Sequence, residues 1–308
     1  MYVKNFNLSK RAYPLLGLLL VIPLMVFLPG FLIEMDPANR NVLQAEVSFS
    51  YHIAGDQPYQ IESFIPFSSS RQHIRDLAQD KGPAGTIEIS SLYQKIKWEG
   101  KADTSLTLSH RCHFTGKRKS YPIDPSLKLS GQIGSQDRRY LKESAFVQAY
   151  HPLMTLGVRK LIGHENSIKR ILQELFSYLH ELPNIQGHEG DDALETLSQL
   201  KGSPWGKSRL LIAMTRNLGI PSRLVGGMIL QKDRPNQVHV WTEVKVGKQW
   251  IPIDPFYGHF ASLPANYMEL FRGEHFLITH NPGLEVSFSF STHAPESQEV
   301  VMTVIKEK

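Results

Sequence analysis

The stretch KGSPWGKSRLLIAMTRNLGIPSR, Lys201 to Arg223, holds both ends of one helix. Ser203 has the short polar side chain that caps a helix N-terminus, and Pro204 suits the first helical position, where its missing N–H is not needed. Leu210, Leu211, Met214 and Leu218 share a face, and Gly219 with Pro221 ends the helix. Strands follow at Arg223 to Leu230 and Val238 to Val246. Gly247-Lys248 makes a two-residue turn, and Gln249 to Ile253 returns as the second arm of a hairpin. Helices leading into an antiparallel sheet predict an α+β unit.

Working toward the N-terminus, Asp192 to Leu200 reads as a second, short helix. Ile168, Ile171, Leu172, Leu175, Phe176, Leu179 and Leu182 recur at three and four, as the core stripe of an amphipathic helix capped by Asn166 or Ser167. From Val42 to about Pro125 the period changes to two, as in Val42 to Phe49, Thr86 to Ile89, Tyr93 to Trp98 and Ser105 to Ser109. That pattern predicts an antiparallel β-domain, with Ser68 to Arg75 and Gln79 to Gly85 read as turn-rich breaks. Pro122 to Gln136, rich in Gly, Pro and Ser, is the expected linker. Toward the C-terminus, Pro264 to Arg272 reads as a short helical link, and Gly283 to Ser291 and Val300 to Ile305 as strands. The chain's 308 residues, 41% of them hydrophobic and 20% charged, suit two folded units, each with its own core. The expected division is 1–35, 36–135 and 136–308.

The first 35 residues differ in kind. Tyr13 to Ile33 is uncharged and long enough to cross a bilayer as a helix, even with Pro14, Pro23 and Pro29 in it. Lys4, Lys10 and Arg11 precede the run and Glu34 and Asp36 follow, which places the N-terminus in the cytoplasm and the rest outside it. A cleavable signal peptide is the rival reading, but the run is long and no small-residue cleavage site follows. A buried helix is the third. An uncleaved anchor is the reading adopted: a single-pass inner-membrane protein, with the bulk of the chain periplasmic.

The formal charge of +5 falls to +3 beyond Glu34, where 31 basic and 28 acidic residues remain, and no basic helix or aromatic-laced basic patch points to nucleic acid. Cys112 is the only cysteine, so an intramolecular disulfide is excluded, and it reads as a buried small hydrophobe. His110-Arg-Cys-His113 has zinc-binding residue types, but no second ligand pair stands at a usable spacing. No phosphate loop, dinucleotide fingerprint or His-Glu-x-x-His motif occurs. Neither a cofactor nor a metal is expected.

Several of these motifs together resemble the transglutaminase-like superfamily, within the papain-like class. In that family a Lys-Gly-x-Cys run opens a helix that ends in Gly-Ile-Pro-Ala-Arg; here Lys201-Gly-Ser-Pro204 opens one that ends in Gly219-Ile-Pro-Ser-Arg223. His239-Val-Trp-Thr-Glu243 resembles the family's histidine strand, and Trp250-Ile-Pro-Ile-Asp254-Pro its aspartate strand. The resemblance implies a Cys-His-Asp triad of which His239 and Asp254 remain and in which Pro204 stands in the nucleophile's place. A thiolate belongs at a helix N-terminus because the dipole and free N–H groups there favour it. The hairpin supports the pairing by itself: a two-residue loop sets Trp241 across from Asp254 and His239 at the same-face diagonal, about 7 Å away.

The match is closer to a membrane-anchored group known as inactive transglutaminase-like, usually fused to seven transmembrane helices, with tails resembling Leu263-Pro-Ala-Asn-Tyr and Phe271-Arg-Gly-Glu. The resemblance implies that the multi-helix membrane partner is here a separate polypeptide, and that the process involves an ATP-grasp peptide ligase and a retropepsin-like protease. The leading expectation is a non-catalytic peptide- or protein-binding subunit, a pseudoenzyme, with a groove walled by Trp205, His239, Trp241 and Asp254. Trp205 and Trp241 serve equally well as core, and an Asp holding a neutral His is useful packing with nothing to activate. A second reading is an amidohydrolase or acyltransferase using Ser203 with His239 and Asp254, although an N-cap hydroxyl is already engaged and an alkoxide is hard to generate. A third is a purely structural subunit. Cys112 as a thiolate reaching the groove is the weakest option.

Overall fold

The computed structural model describes residues 40–129, 133–231 and 237–293, all within one compact unit, Met35–Lys308. The apolar run Tyr13 to Ile33 and the expected strand Val300 to Ile305 lie outside the described residues. Among the described residues no helix is long and apolar enough to cross a membrane.

Alternation builds the N-terminal part. In β1, Val42–Ile53, every second residue from Leu43 to Ile53 is buried, as period two requires of a strand with one covered face. It is followed by β2 (Gln57–Ile65), β3 (Gln72–Lys81), β4 (Thr86–Ile89), β5 (Gln94–Ala102), β6 (Leu106–Lys117) and the two-residue β7 (Lys119–Ser120). Strands β1 to β6 form two four-stranded sheets, each completed by a strand from the far end of the chain: β14 (Ile278–His280) pairs with β2, and β15 (Val286–His293) pairs with β1. Between the sheets the Tyr51 and Trp98 rings meet at 5.1 Å, and Tyr51 Oη donates to Ser63 Oγ at 2.8 Å.

The segment 72–81, expected to be largely turns, is the edge strand β3. Its sequence, QHIRDLAQDK, is polar because an edge has solvent on one side, and register shifts between Arg75 and Ala78 and between Gln79 and Lys81 disturb its periodicity.

Four helices follow: α1 (Pro152–Ile162), α2 (Ile168–Glu181), α3 (Ala193–Gln199) and α4 (Pro204–Asn217). Helix α1 was not anticipated, because only Met154 and Val158 are buried and no long apolar stripe announces it. Helix α2 turns Ile171, Leu172, Leu175 and Leu179 inward, each burial worth about 1.5–3 kcal/mol. Ser167 caps it without a side-chain hydrogen bond; Ile168 N donates to Leu127 O at 3.0 Å, and just ahead of the helix Glu165 Oε1 accepts from Asn166 N and Ser167 N. In α4 every residue from Trp205 to Arg216 is buried.

Helix α4 lies on a five-stranded antiparallel sheet of order β11-β10-β9-β8-β13, with β8 Ser222–Ile229, β9 Gln237–Val246, β10 Gln249–Asp254, β11 His259–Phe260 and β13 Tyr267–Arg272. The short β12 (Ser262–Leu263) pairs with β7. Thr242 Oγ1 donates to Ser208 O at 3.0 Å, joining α4 to β9. The expected helical link at Pro264 to Arg272 is instead mostly the strand β13, paired with β8. Its residues from Tyr267 to Phe271 are all buried, and a strand covered on both faces shows no alternation to read.

One continuous core runs from Leu43 through Leu230 to Leu284, so the strand-rich and helix-bearing parts do not have the separate cores the length suggested.

Candidate functional site

Helix α4 begins as its sequence dictates. Ser203 Oγ accepts from Gly206 N at 3.1 Å as N-cap, and Pro204 takes the first helical position. The same hydroxyl donates to Asp191 Oδ2 at 2.5 Å, and Ser203 is fully buried. Asp191 in turn faces His188 Nε2 at 3.2 Å. That order, Ser–Asp–His, puts the carboxylate against the hydroxyl, where an imidazole would have to stand to take its proton.

On the β9–β10 hairpin the Ile253–Thr242 pairing sets Asp254 beside Trp241, the register the two-residue turn implied. His239 Nε2 then donates to Asp254 Oδ2 at 2.7 Å. Tyr267 Oη donates to the same oxygen at 2.7 Å, and Oδ1 accepts from Phe256 N at 3.0 Å and Tyr257 N at 3.3 Å. Burial alone would raise the Asp254 carboxyl, but the charge of His239 and these hydrogen bonds outweigh it and hold the pKa below the ordinary value. The opposite applies to Tyr267, whose hydroxyl is pushed well up by burial and by Asp254. Aromatic rings enclose the pair: Tyr257 at 4.9 Å from the His239 ring, and Tyr267 edge-on at 5.8 Å.

His239 and Asp254 are thus brought together, and with Trp205 and Trp241 they are inside the protein: Trp205 is 6% exposed, His239 2%, Trp241 1% and Asp254 0%. Trp241 packs with Val225, Ile229, Leu263 and Tyr267. Trp205 lies under the Arg209 guanidinium at 4.9 Å. Pro204 is half-buried.

Two participants escaped the sequence reading. Tyr267 sat in the segment taken for a helical link. Lys207, one turn into α4, is buried and donates from Nζ to Leu182 O at 2.7 Å and to Asn184 Oδ1 at 2.6 Å. Burial lowers its pKa to about 8 although Asp254 pulls it up. A lysine in a helix normally reads as solvated, and only its tertiary setting says otherwise.

On β6, Cys112 is fully buried, and burial, with Glu46 adding to it, pushes its thiol up to about 12, so it is no nucleophile. His110 stacks on Phe49 at 4.5 Å, while His113 contacts Asp76 at 3.2 Å and Glu46 at 3.5 Å. Among the described residues no group of three His, Cys, Asp or Glu is placed to hold a metal.

A helix seated on an antiparallel sheet, with a buried His–Asp pair on the sheet's hairpin, is consistent with a papain-like α+β scaffold. Residues 157–255 match the family model described as Transglutaminase-like superfamily, so the chain contains a domain of that superfamily. Among solved structures, the "Putative Cysteine Protease from Cytophaga hutchinsonii" superposes with a TM-score of 0.67 at 16% identity, over 83% of this chain and 93% of that one. A "putative protease from Parabacteroides distasonis" aligns over 70% of this chain and 64% of that one, at 10% identity and a TM-score of 0.30. The curated proteins contain no match.

Proposed function

We propose that the chain is a membrane-anchored, extracytoplasmic transglutaminase-like protein that does no catalysis and serves as a peptide- or protein-binding subunit of a membrane complex. The observation that carries this reading is the start of α4. Pro204 opens α4 at the position that the sequence resemblance assigns to the family's cysteine, and the neighbouring Ser203 hydroxyl is committed to Asp191 and to the helix cap. With no nucleophile to serve, His239–Asp254–Tyr267 acts as a buried strut joining β9, β10 and β13. The anchor is Tyr13 to Ile33, and a multi-helix membrane protein, an ATP-grasp ligase and a retropepsin-like protease remain the proposed associates.

The test compares the native full-length chain with Pro204→Cys for hydrolysis or acyl transfer on glutamine-containing peptides, with a fluorophosphonate probe added. The native protein is expected to turn over nothing and to leave Ser203 unlabelled; turnover by it, or labelling lost in His239→Ala, would overturn the reading. An alkaline-phosphatase fusion after Asp36 should be active if the anchor has the stated orientation.

A further inference from the structure

A large opening lies away from the His239–Asp254 pair. It is a cleft of about 960 Å³ between the strand-rich part and the open face of the five-stranded sheet, at the upper end of the size of small-ligand sites, roughly 300–1,000 Å³. Its floor is charged. Arg223 on β8 stands directly opposite Glu243 on β9, with Nε and Nη2 both donating to Glu243 Oε2, at 2.8 and 2.6 Å. On the next strand Arg272 pairs opposite Val225, two residues from Arg223 and therefore on the same face. Arg272 meets Glu269 through Nε. Each guanidinium keeps Nη donors outside its ion pair.

The balance is positive. Three charged side chains in the lining are basic, Lys119, Arg223 and Arg272, against Glu243 alone. Behind the floor, buried Arg71 donates to Pro264 O and Tyr267 O, and among the described residues no carboxylate is hydrogen-bonded to it. Counting Glu269 leaves four cations around two carboxylates. An excess of desolvated positive charge favours an anion.

The walls narrow the choice. Trp250, with Arg223 stacked 4.0 Å over its ring, Tyr121 and Phe67 offer flat apolar surface, and Ser68, Ser69, Ser90 and Ser91 offer hydroxyls that give and accept hydrogen bonds. No glycine is among the lining residues, so a glycine-rich phosphate loop is not part of this wall. Planar guanidinium forks match a carboxylate, and rings and hydroxyls suit the amides and side chains of a peptide.

We propose that this cleft binds a peptide through its carboxylate, with Arg223 and Arg272 as the anion-binding floor, Lys119 at the mouth and Trp250 as the stacking wall. This deepens the proposed binding role and places the ligand elsewhere than the degenerate triad. The two readings fail separately, since catalysis by the native chain would leave the cleft untouched.

The experiment is equilibrium dialysis of the full-length chain against an N-acetylated tripeptide library with free C-termini and against the same library amidated, read by mass spectrometry. Retention of the acids over the amides by about tenfold is expected. Ser90→Trp, which fills the cleft, should abolish the preference, and Lys119→Glu should cut it by about fivefold. Two variants at separate points keep the test valid if one misfolds. Equal retention of both libraries, or a preference unchanged in whichever variants keep the native melting temperature, would overturn the proposal. So would binding of inorganic phosphate with no retention of the acid library.

Discussion

Asp254 accepts hydrogen bonds from His239, Tyr267 and two backbone N–H groups, with no exposed surface of its own. Removing a partner from such a cluster leaves buried polar groups unsatisfied, which costs more than the bond itself. Asp254→Ala is expected to lose about 3–5 kcal/mol and Tyr267→Phe about 1–2 kcal/mol of unfolding free energy in urea titrations. Because the Asp254 pKa is depressed by folding, its stabilisation is present above the unfolded value of 3.8 and is lost as pH falls through the folded value.

His110 titrates in a different window. Neither ring nitrogen has a hydrogen-bond partner among the described residues, and burial lowers its pKa from 6.5 to about 3. The folded state therefore resists a proton that the unfolded chain accepts. Stability is complete above 6.5 and declines as pH falls from there toward 3. At pH 5 the loss is about 2 kcal/mol, at about 1.4 kcal/mol per pH unit. His110→Phe keeps the stack on Phe49 and should remove this slope: its advantage over the native protein, measured by urea unfolding, should grow by about 2 kcal/mol between pH 7.5 and pH 5.

At the scale of elements, legibility tracked how local the deciding chemistry is. Helix α4 was readable because its boundary chemistry is local: a capping serine, a proline that needs no donor, a closing Gly219 with φ +74°. The β9–β10 hairpin was readable because a two-residue turn fixes register. Strand β13 was not, since Tyr267–Arg272 shows no alternation and its pairing partner lies some forty residues upstream. The closeness of that pairing yields its own test. A Cβ on Gly227 would stand 1.9 Å from Met268 O, so backbone meets backbone and neither can yield cheaply. Gly227→Ala is expected to cost at least about 3 kcal/mol, with thermal melts the measurement. Gly247→Ala, with nothing within 4 Å but φ +59°, should cost only about 1 kcal/mol.

For the whole molecule, the return of the C-terminal strands ties the fold together. Strand β15 pairs with β1 at eight positions, and Phe288 and Phe290 reach the Tyr51 and Phe49 rings at 5.2 and 6.3 Å. With one continuous core, damage there should be felt throughout. Truncation after Pro282 is expected to lower the melting temperature by about 10 °C and to keep one calorimetric transition; two separated transitions would mean the halves fold independently.

By itself the sequence determined what depends on near neighbours: the strand periodicity of β1 and β6, the caps of α4, the hairpin register and with it the meeting of His239 and Asp254. It also identified Pro204 as the residue at the head of the central helix. Only the tertiary structure decided that Tyr267 completes the Asp254 cluster, that the expected groove residues are buried, and that Arg223, Arg272 and Trp250 line a cleft with the serines of the strand-rich part. Those facts depend on pairings between distant segments and on which faces are left uncovered. Burial and charge balance are properties of the packed chain, and no local pattern encodes them.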